Sequence, residues 1–154
     1  MTPGEEGPFE LGRDGPTSIL VGVDGSTTSA RAGWYAAGLA RRQSARLTAV
    51  YVAPLASGMT VPSAAGLAAA RRDAEDEAVA VMRRRAEELS TELVVPITFI
   101  ATRGDPFSEL SRIAEQIRAD AVVVGASARV GHWFIGSLAV RLVKAARWPV
   151  TVVP

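Results

Sequence analysis

Two short segments carry residue types that could bind a phosphorylated ligand. One is Asp24-Gly25-Ser26, in which a carboxylate ends an apolar run and a serine can cap a following helix. The other begins at Gly125 and ends at the pair Gly136-Ser137. Glycines let backbone N–H groups approach a phosphate closely, and a helix N-terminus adds unpaired donors and a favourable dipole. With a carboxylate to hold ribose hydroxyls, the pattern suits a nucleotide.

Each of these signals also has an ordinary structural interpretation. Asp24 can be only a helix cap or turn residue, and Gly136-Ser137 can be only a turn with a cap. His132 has no candidate partner near it in sequence, which favours an exposed polar residue over a general base. Three aromatic residues are more typical of a core or an interface than of a base-stacking platform: Trp133, Phe134 and Trp148.

The composition argues against several other classes of site. Seventeen Lys and Arg against sixteen Asp and Glu leave a net charge of +1, which provides no broad attraction for nucleic acid or an anionic membrane. The chain has no cysteine and one histidine, so thiolate and multi-histidine metal sites are excluded. No apolar stretch reaches the roughly 18 residues of a membrane span. No P-loop pattern occurs, nor a dinucleotide fingerprint after the first strand.

The elements that must position the candidate residues alternate between strands and helices. Runs rich in Val and Ile predict five strands, at 18–24, 46–54, 94–102, 120–126 and 149–154. Several are apolar on both faces, as strands of a parallel sheet covered by helices must be. Residues 1–16 hold four glycines and three prolines and are predicted to form a flexible tail. A single domain is therefore expected over residues 17–154.

Helical patterns fill the intervals between these strands. Helices are predicted at 27–43, 66–92, 137–147 and within 104–120, where Asp105 can cap and Pro106 takes the first helical position. The long helix is expected to bury one side, consisting of Ala74, Ala78, Val81, Leu89 and Leu93. The order βαβαβαβαβ predicts a single-domain α/β fold with a doubly wound parallel sheet and helices on both faces. Such sheets bind ligands at the carboxyl ends of their strands.

Three longer segments together resemble the universal stress protein family. They are SILVGVDGSTTSARAGWYAAGLA, TRGDPFSELSRIAEQIRADAVVVGA and GSLAVRLVKAARWPVTVVP. The resemblance extends from Thr17 to Pro154, and it implies a five-stranded sheet of order 3-2-1-4-5 in which strands one and four flank the switch point. The resemblance and the strand pattern therefore indicate the same cleft.

The nucleotide-binding branch of this family carries an aspartate at the end of strand one, matched here by Asp24 with its neighbours Gly22 and Val23. It also presents a main-chain contact for adenine at the end of strand two, matched by Val52. By resemblance, Asp24 would bind the ribose and Val52 the base.

After strand four, the same branch carries the motif G-x2-G-x9-G-[ST]. Gly125 matches its first glycine, and Gly136-Ser137 match its last pair. Ala128 stands in place of the second glycine, and seven residues rather than nine separate it from Gly136. The hypothesis is a shortened phosphate cradle with Arg129 as an exposed counter-charge. The implied nucleotide-binding residues are Gly22, Val23, Asp24, Val52, Gly125, Ser127, Ala128, Gly136 and Ser137.

The resemblance implies a cytoplasmic protein that binds ATP or a related adenine nucleotide, with Mg²⁺ held through the phosphates, as a sensor or regulatory module in stress response. It also implies a homodimer through the last strand, while the composition indicates neither nucleic acid nor membrane partners. One alternative is a nucleotide-independent dimer that acts through protein partners. Another is a slow ATPase, although no general base is evident beside the γ-phosphate position. Residues 54–66 could form either a lid or an ordinary connection.

Overall fold

The computed structural model describes residues 15–55, 64–129 and 132–154 of the chain. The predicted tail up to residue 14 and most of the segment 54–66 lie outside these residues. In chain order the elements are β1 Ser18–Val23, α1 Thr27–Gln43, β2 Arg46–Ala53, α2 Ala64–Leu93, β3 Ile97–Arg103, α3 Pro106–Gln116, β4 Ala121–Gly125, β5 Ser127–Arg129, β6 His132–Phe134, α4 Ser137–Ala145 and β7 Val150–Val153.

Five of the strands form one parallel sheet in the order β3-β2-β1-β4-β7, which confirms the predicted fold. Strand β1 is central, with Val21 paired to Ala49 of β2 on one side and Val123 of β4 on the other. All three residues are buried, as expected for a parallel sheet covered on both faces. The last strand, β7, lies at an edge of the sheet.

Alternating side chains divide the core between the two faces of the sheet. Ile19 and Val21 belong to one cluster, which includes four fully buried alanines of α1: Ala32, Ala36, Ala37 and Ala40. Leu20 belongs to the other cluster, with Leu110 of α3 and Leu142 of α4. Helices α1 and α2 therefore cover one face, and α3 and α4 cover the other.

Local capping signals set the starts of α1 and α3. The Ser26 hydroxyl accepts a hydrogen bond from the Ser29 amide at 3.2 Å and caps α1. The Asp105 carboxylate accepts from the Ser108 amide at 2.9 Å, and Pro106 occupies the first position of α3. Both features agree with the sequence, and α1 has the predicted bounds.

The predicted buried side of α2 is wrong in its first half. Ala74, Ala78 and Val81 are exposed, Val81 to 58%. The side facing the sheet instead includes partly or fully buried residues at spacings of three and four: Glu75, Val79, Met82, Ala86, Leu89 and Leu93. Leu89 and Leu93 fit both patterns, but alanines are so frequent earlier in the helix that they define no single apolar side.

The segment between β4 and α4 contains a feature that the sequence did not predict. Strands β5 and β6 form a separate antiparallel pair, in which Ser127 lies opposite Phe134 and Arg129 lies opposite His132. Strands of three residues are too short to show an alternating pattern. What was expected to be an irregular loop is therefore partly a hairpin.

Candidate functional site

A cleft of about 400 Å³ lies at the carboxyl ends of β1, β2 and β4. This volume is within the range of small-molecule sites, roughly 300–1,000 Å³. Eight of the nine predicted site residues line it: Gly22, Val23, Asp24, Val52, Gly125, Ser127, Gly136 and Ser137. The ninth, Ala128, lies in β5, and its side chain is outside the described part of the structure.

Asp24 follows β1 directly and lines the cleft, with its side chain partly accessible to solvent. Its Oδ1 accepts a hydrogen bond from the Ser26 amide at 2.8 Å, and its own amide donates to the Ser29 hydroxyl at 3.2 Å. The first contact is an aspartate turn, which positions the chain for the helix that begins at Thr27. Asp24 therefore has a structural role in this turn, while Ser26 is the helix cap.

The electrostatic environment of Asp24 favours the ionised carboxylate. Partial burial raises its pKa, but hydrogen bonds from the Ser26 hydroxyl and amide and from the Ser29 hydroxyl act in the opposite direction. Their sum holds the pKa of Asp24 below its ordinary value. At neutral pH the cleft thus contains a carboxylate acceptor suited to ligand hydroxyl groups.

Gly125 ends β4 at a point where the backbone of α1 passes unusually close. A β-carbon at Gly125 would lie 2.7 Å from the Thr28 carbonyl carbon and 2.8 Å from the Ser29 amide nitrogen. These are backbone atoms that cannot rotate away. Packing of α1 against β4 is therefore sufficient to require glycine here, whether or not a phosphate is bound.

Gly136 caps α4 without a side-chain hydrogen bond, and it lies beside Ser127. Its φ of −63° and ψ of 162° are accessible to any residue, so the position does not demand unusual backbone angles. A β-carbon there would instead come within 2.1 Å of the Ser127 hydroxyl oxygen and 3.1 Å of the Ser127 β-carbon. Glycine thus leaves space for the serine hydroxyl at the base of the hairpin.

Three helices begin at this cleft. Its lining includes Thr28 and Ser29 of α1, Pro106 of α3 and Ser137 of α4. The first N–H groups of a helix have no partner within the helix, and the dipole makes this end attractive to anions. The starts of α1 and α4 therefore give the cleft positions that favour anions. Asp24, which follows β1, lies at the same cleft.

The sequence reasoning did not identify several residues of the lining. Ser26, Thr28 and Ser29 come from the start of α1, Val50 from β2, Pro106 and Leu110 from α3, and Leu138 and Ala139 from α4. Pro106 begins the helix that follows a strand, so the predicted alternation of strands and helices was a usable signal for it. The apolar contributions, by contrast, depend on how the helices pack.

Of the other residues singled out in this region, Trp148 is the one whose side chain the structure describes. The side chains of Arg129, His132, Trp133 and Phe134 lie outside the described part of the structure, as does the whole of Gly131. Trp148 is partly buried and packs against the apolar cluster shared by α3 and α4. A contribution to the core, one of the interpretations considered for Trp148, is therefore confirmed.

Among the described residues, no group of three or more His, Asp or Glu side chains is placed to hold a metal ion. No helix within 15–55, 64–129 and 132–154 is both long and apolar enough to cross a bilayer.

The chain belongs to the universal stress protein family, whose family model matches residues 16–154. It is 27% identical over 140 residues to the universal stress protein MJ0531 of Methanocaldococcus jannaschii, an alignment covering 88% of this chain and 80% of that protein. It is also similar to the solved structure of the universal stress protein UspA from Lactobacillus plantarum. That match has a TM-score of 0.76 and 28% identity and covers 90% of this chain and 97% of the other.

Two further solved structures share the fold and contain adenine nucleotides. One is a universal stress protein in complex with cAMP, with a TM-score of 0.63 and 23% identity over 90% of this chain and 96% of the other. The second is the universal stress protein from Archaeoglobus fulgidus in complex with dAMP, with a TM-score of 0.56 and 20% identity over 90% and 98% of the two chains.

An ion pair beside the cleft joins the start of α3 to α4. Arg141 donates to both carboxylate oxygens of Asp105, at 2.9 and 3.2 Å, and its guanidinium lies 4.4 Å from the centre of the Phe107 ring. Hydrogen bonding from Arg141, with further bonds from Ser108, lowers the pKa of Asp105 from 3.8 to about 2. The pair therefore links the start of α3 to the middle of α4.

The lowered pKa predicts how the Asp105 pair responds to acid. Because the folded-state pKa is below the unfolded value, the stabilisation is fully present above pH 3.8 and is lost as the pH falls towards 2. Asp105→Asn keeps a capping side chain but removes this charge. The free energy of unfolding of Asp105→Asn should therefore fall less steeply over that pH interval than that of the wild type, as measured by urea denaturation. Equal slopes in the two proteins would contradict the assignment, and Arg141→Met provides the matched removal of the partner.

Proposed function

We propose that the chain binds an adenine nucleotide, either ATP or a related one, in the cleft between β1 and β4. The proposed role is that of a cytoplasmic sensor or regulatory module in stress response. The observation that carries the proposal is the meeting of an ionised carboxylate, Asp24, with the N-termini of α1 and α4 at one switch point of the sheet.

The charges of the cleft favour one orientation of such a ligand. A phosphate placed against Asp24 would meet a like charge, whereas the starts of α1 and α4 offer unpaired amide donors. Ribose hydroxyls are neutral donors that match the carboxylate. The proposal therefore places the ribose at Asp24 and the phosphates towards Ser127, Gly136 and Ser137.

The remaining end of the cleft suits an adenine ring. Val50 and Val52 of β2 and Leu110 of α3 provide an apolar lining there. Val52 lies near the end of its strand, where the backbone can offer the main-chain contact that the family resemblance assigns to it. Gly22 lines the same region, and a β-carbon on it would come within 3.3 Å of Leu110.

The similar proteins solved with cAMP and dAMP are the reason that the proposal includes an adenine mononucleotide and is not restricted to ATP. Any Mg²⁺ in this proposal is held through the phosphates, because the described residues offer no metal-binding cluster of their own. The proposal does not include hydrolysis, for which the sequence suggested no general base.

Substitution of Asp24 tests the proposed contact with ribose. Asp24→Ala should weaken adenosine and AMP binding by about 1.5 to 3 kcal/mol, roughly 10- to 150-fold, because a hydrogen bond to a charged group is lost. Asp24→Asn is the matched control, since its amide oxygen can still accept from the Ser26 amide and keep the turn. The Asp24→Asn variant should retain wild-type thermal stability, yet calorimetric titration should show that it also binds adenosine and AMP more weakly than the wild type. Wild-type affinity in the Asn variant would restrict Asp24 to its role in the turn.

Substitution of Gly136 tests the phosphate end of the cleft. Gly136→Val would crowd Ser127 and occupy the space beside the first amides of α4, so the phosphate contribution to affinity should disappear. In the wild type, AMP and ADP should bind nearly as well as ATP, and all three should bind better than adenosine. In the variant, the four affinities should converge on that of adenosine. Titration of each ligand decides between these results, and no detectable binding to the wild type would overturn the proposal itself.

A second candidate function, a dimer that acts through protein partners, is favoured by the position of β7. No strand among the described residues pairs with its outer edge. The Pro149 carbonyl accepts from the Val122 amide of β4, and the Val153 carbonyl accepts from the Ala126 amide just after β4. By alternation, the backbone groups of Val150 and Val152 are directed outwards. Such an edge can pair with that of a second copy.

The expected dimer can be measured by light scattering, which should give twice the chain mass at working concentrations. Val152→Pro removes an outward N–H group while leaving the contacts of Pro149 and Val153 with β4, so it should produce a folded monomer. A wild-type protein that is monomeric throughout would exclude pairing through β7. Dimerisation without nucleotide binding would favour this second function over the first.

A further inference from the structure

A second cavity lies on the opposite face of the sheet from the cleft, between α1 and α2. Its volume is about 160 Å³, and its walls include Val23, Trp34, Met82, Leu89 and Phe99. Leu89 is buried, while Trp34 is 46% exposed and borders the opening. The cavity is thus an apolar chamber with one solvent-facing side.

The small side chains of the two helices create this space. Gly33 lies within α1 and lines the cavity, and a β-carbon built on it would meet no atom within 4 Å. Ala30 and Ala86 also line it. Glycine inside a helix costs roughly 0.5–1 kcal/mol relative to alanine. At Gly33 neither a positive φ nor a close contact requires it, so the structure offers no packing reason for the residue other than the space that it leaves.

The cavity lining includes one guanidinium group, that of Arg85. The Arg85 guanidinium lies 4.9 Å from the centre of the Trp34 ring and donates to Glu88 at 3.0 Å. Arg83 lies 5.1 Å from the centre of the Phe99 ring. Of these two arginines, Arg85 lines the cavity, and Glu88 is the carboxylate paired with it.

We propose that this cavity binds a small molecule that combines one apolar group the size of a single ring with a carboxylate. A dry apolar cavity of about 150 Å³ in another protein binds benzene, so the volume here suits one ring. The ligand carboxylate would lie at the opening and replace Glu88 as the partner of Arg85, whose guanidinium can donate two parallel hydrogen bonds to a carboxylate. The site is separate from the proposed nucleotide site, although Val23 and Ser29 border both.

The test uses benzoate and toluene as probes of the full-length wild-type protein, followed by two-dimensional NMR. Saturable shifts are expected for amides lining the cavity, such as Gly33 and Leu89, with tighter binding of benzoate than of toluene. Absence of saturable shifts with both probes would overturn the proposal.

Gly33→Leu should fill the cavity and abolish binding of both probes. It should also raise the melting temperature by about 2–4 °C, because leucine is a better helix former than glycine. Gly66→Leu is the matched control, since Gly66 is also helical with open space around it but does not line the cavity. That variant should bind both probes normally. Binding that persists in folded Gly33→Leu would place the probes elsewhere and overturn the assignment.

Arg85→Gln tests the contact with the carboxylate. Arg85 is exposed, so the substitution should leave the fold unchanged, and toluene, which has no carboxylate, should lose less affinity than benzoate. Benzoate affinity should fall about two- to fivefold, the range expected for an exposed ion pair. Unchanged benzoate affinity would contradict the proposed contact between Arg85 and the carboxylate. The site for the ring is tested separately by Gly33→Leu.

Discussion

The close approach between the end of β4 and the first turn of α1 is the contact on which the cleft depends. With a β-carbon at Gly125 only 2.7 Å from the Thr28 carbonyl carbon, α1 could not begin where it does. The same closeness continues along α1, where Ala32, Ala36 and Ala40 are fully buried against the sheet. Small residues therefore set how closely α1 packs on the sheet. This distance determines where the first amide groups of α1 lie relative to the cleft.

The parts of the fold that were predictable are those with short-range causes. The Asp105 cap and Pro106 form a local signal, and they placed the start of α3 correctly. The apolar strands likewise identified a parallel sheet. The buried side of α2 was not predictable in the same way, because its alanines give little contrast between faces and the sheet below selects the one that includes Met82 and Ala86. The β5–β6 pair depends on contacts between strands that are too short to recognise alone.

In the candidate site too, features set by the order of the strands were predictable, whereas features set by helix packing were not. The strand order implied by the family resemblance brings the ends of β1 and β4 together, so the proximity of Asp24 to Gly125 could be expected from it, and the structure has that order. The physical reason for Gly125 could not, because it requires knowing that α1 passes over it. The apolar part formed by Val50 and Leu110 was also out of reach, since it depends on how deeply α3 packs. Sequence identifies the residues at strand ends, whereas helix packing decides what surrounds them.

The hairpin also gives a physical meaning to the shortened glycine motif. Residues between Gly125 and Gly136 that pair with each other in β5 and β6 use part of their backbone hydrogen-bonding capacity within the hairpin. Fewer amides of this segment are then free to surround a chain of phosphates. The unpaired donors that do not depend on the hairpin are those at the starts of α1 and α4, which are fixed by the sheet and lie near the strand ends. In the proposed nucleotide complex, this capacity to bind anions would lie close to the ribose, so the first phosphate would gain more from it than those further out.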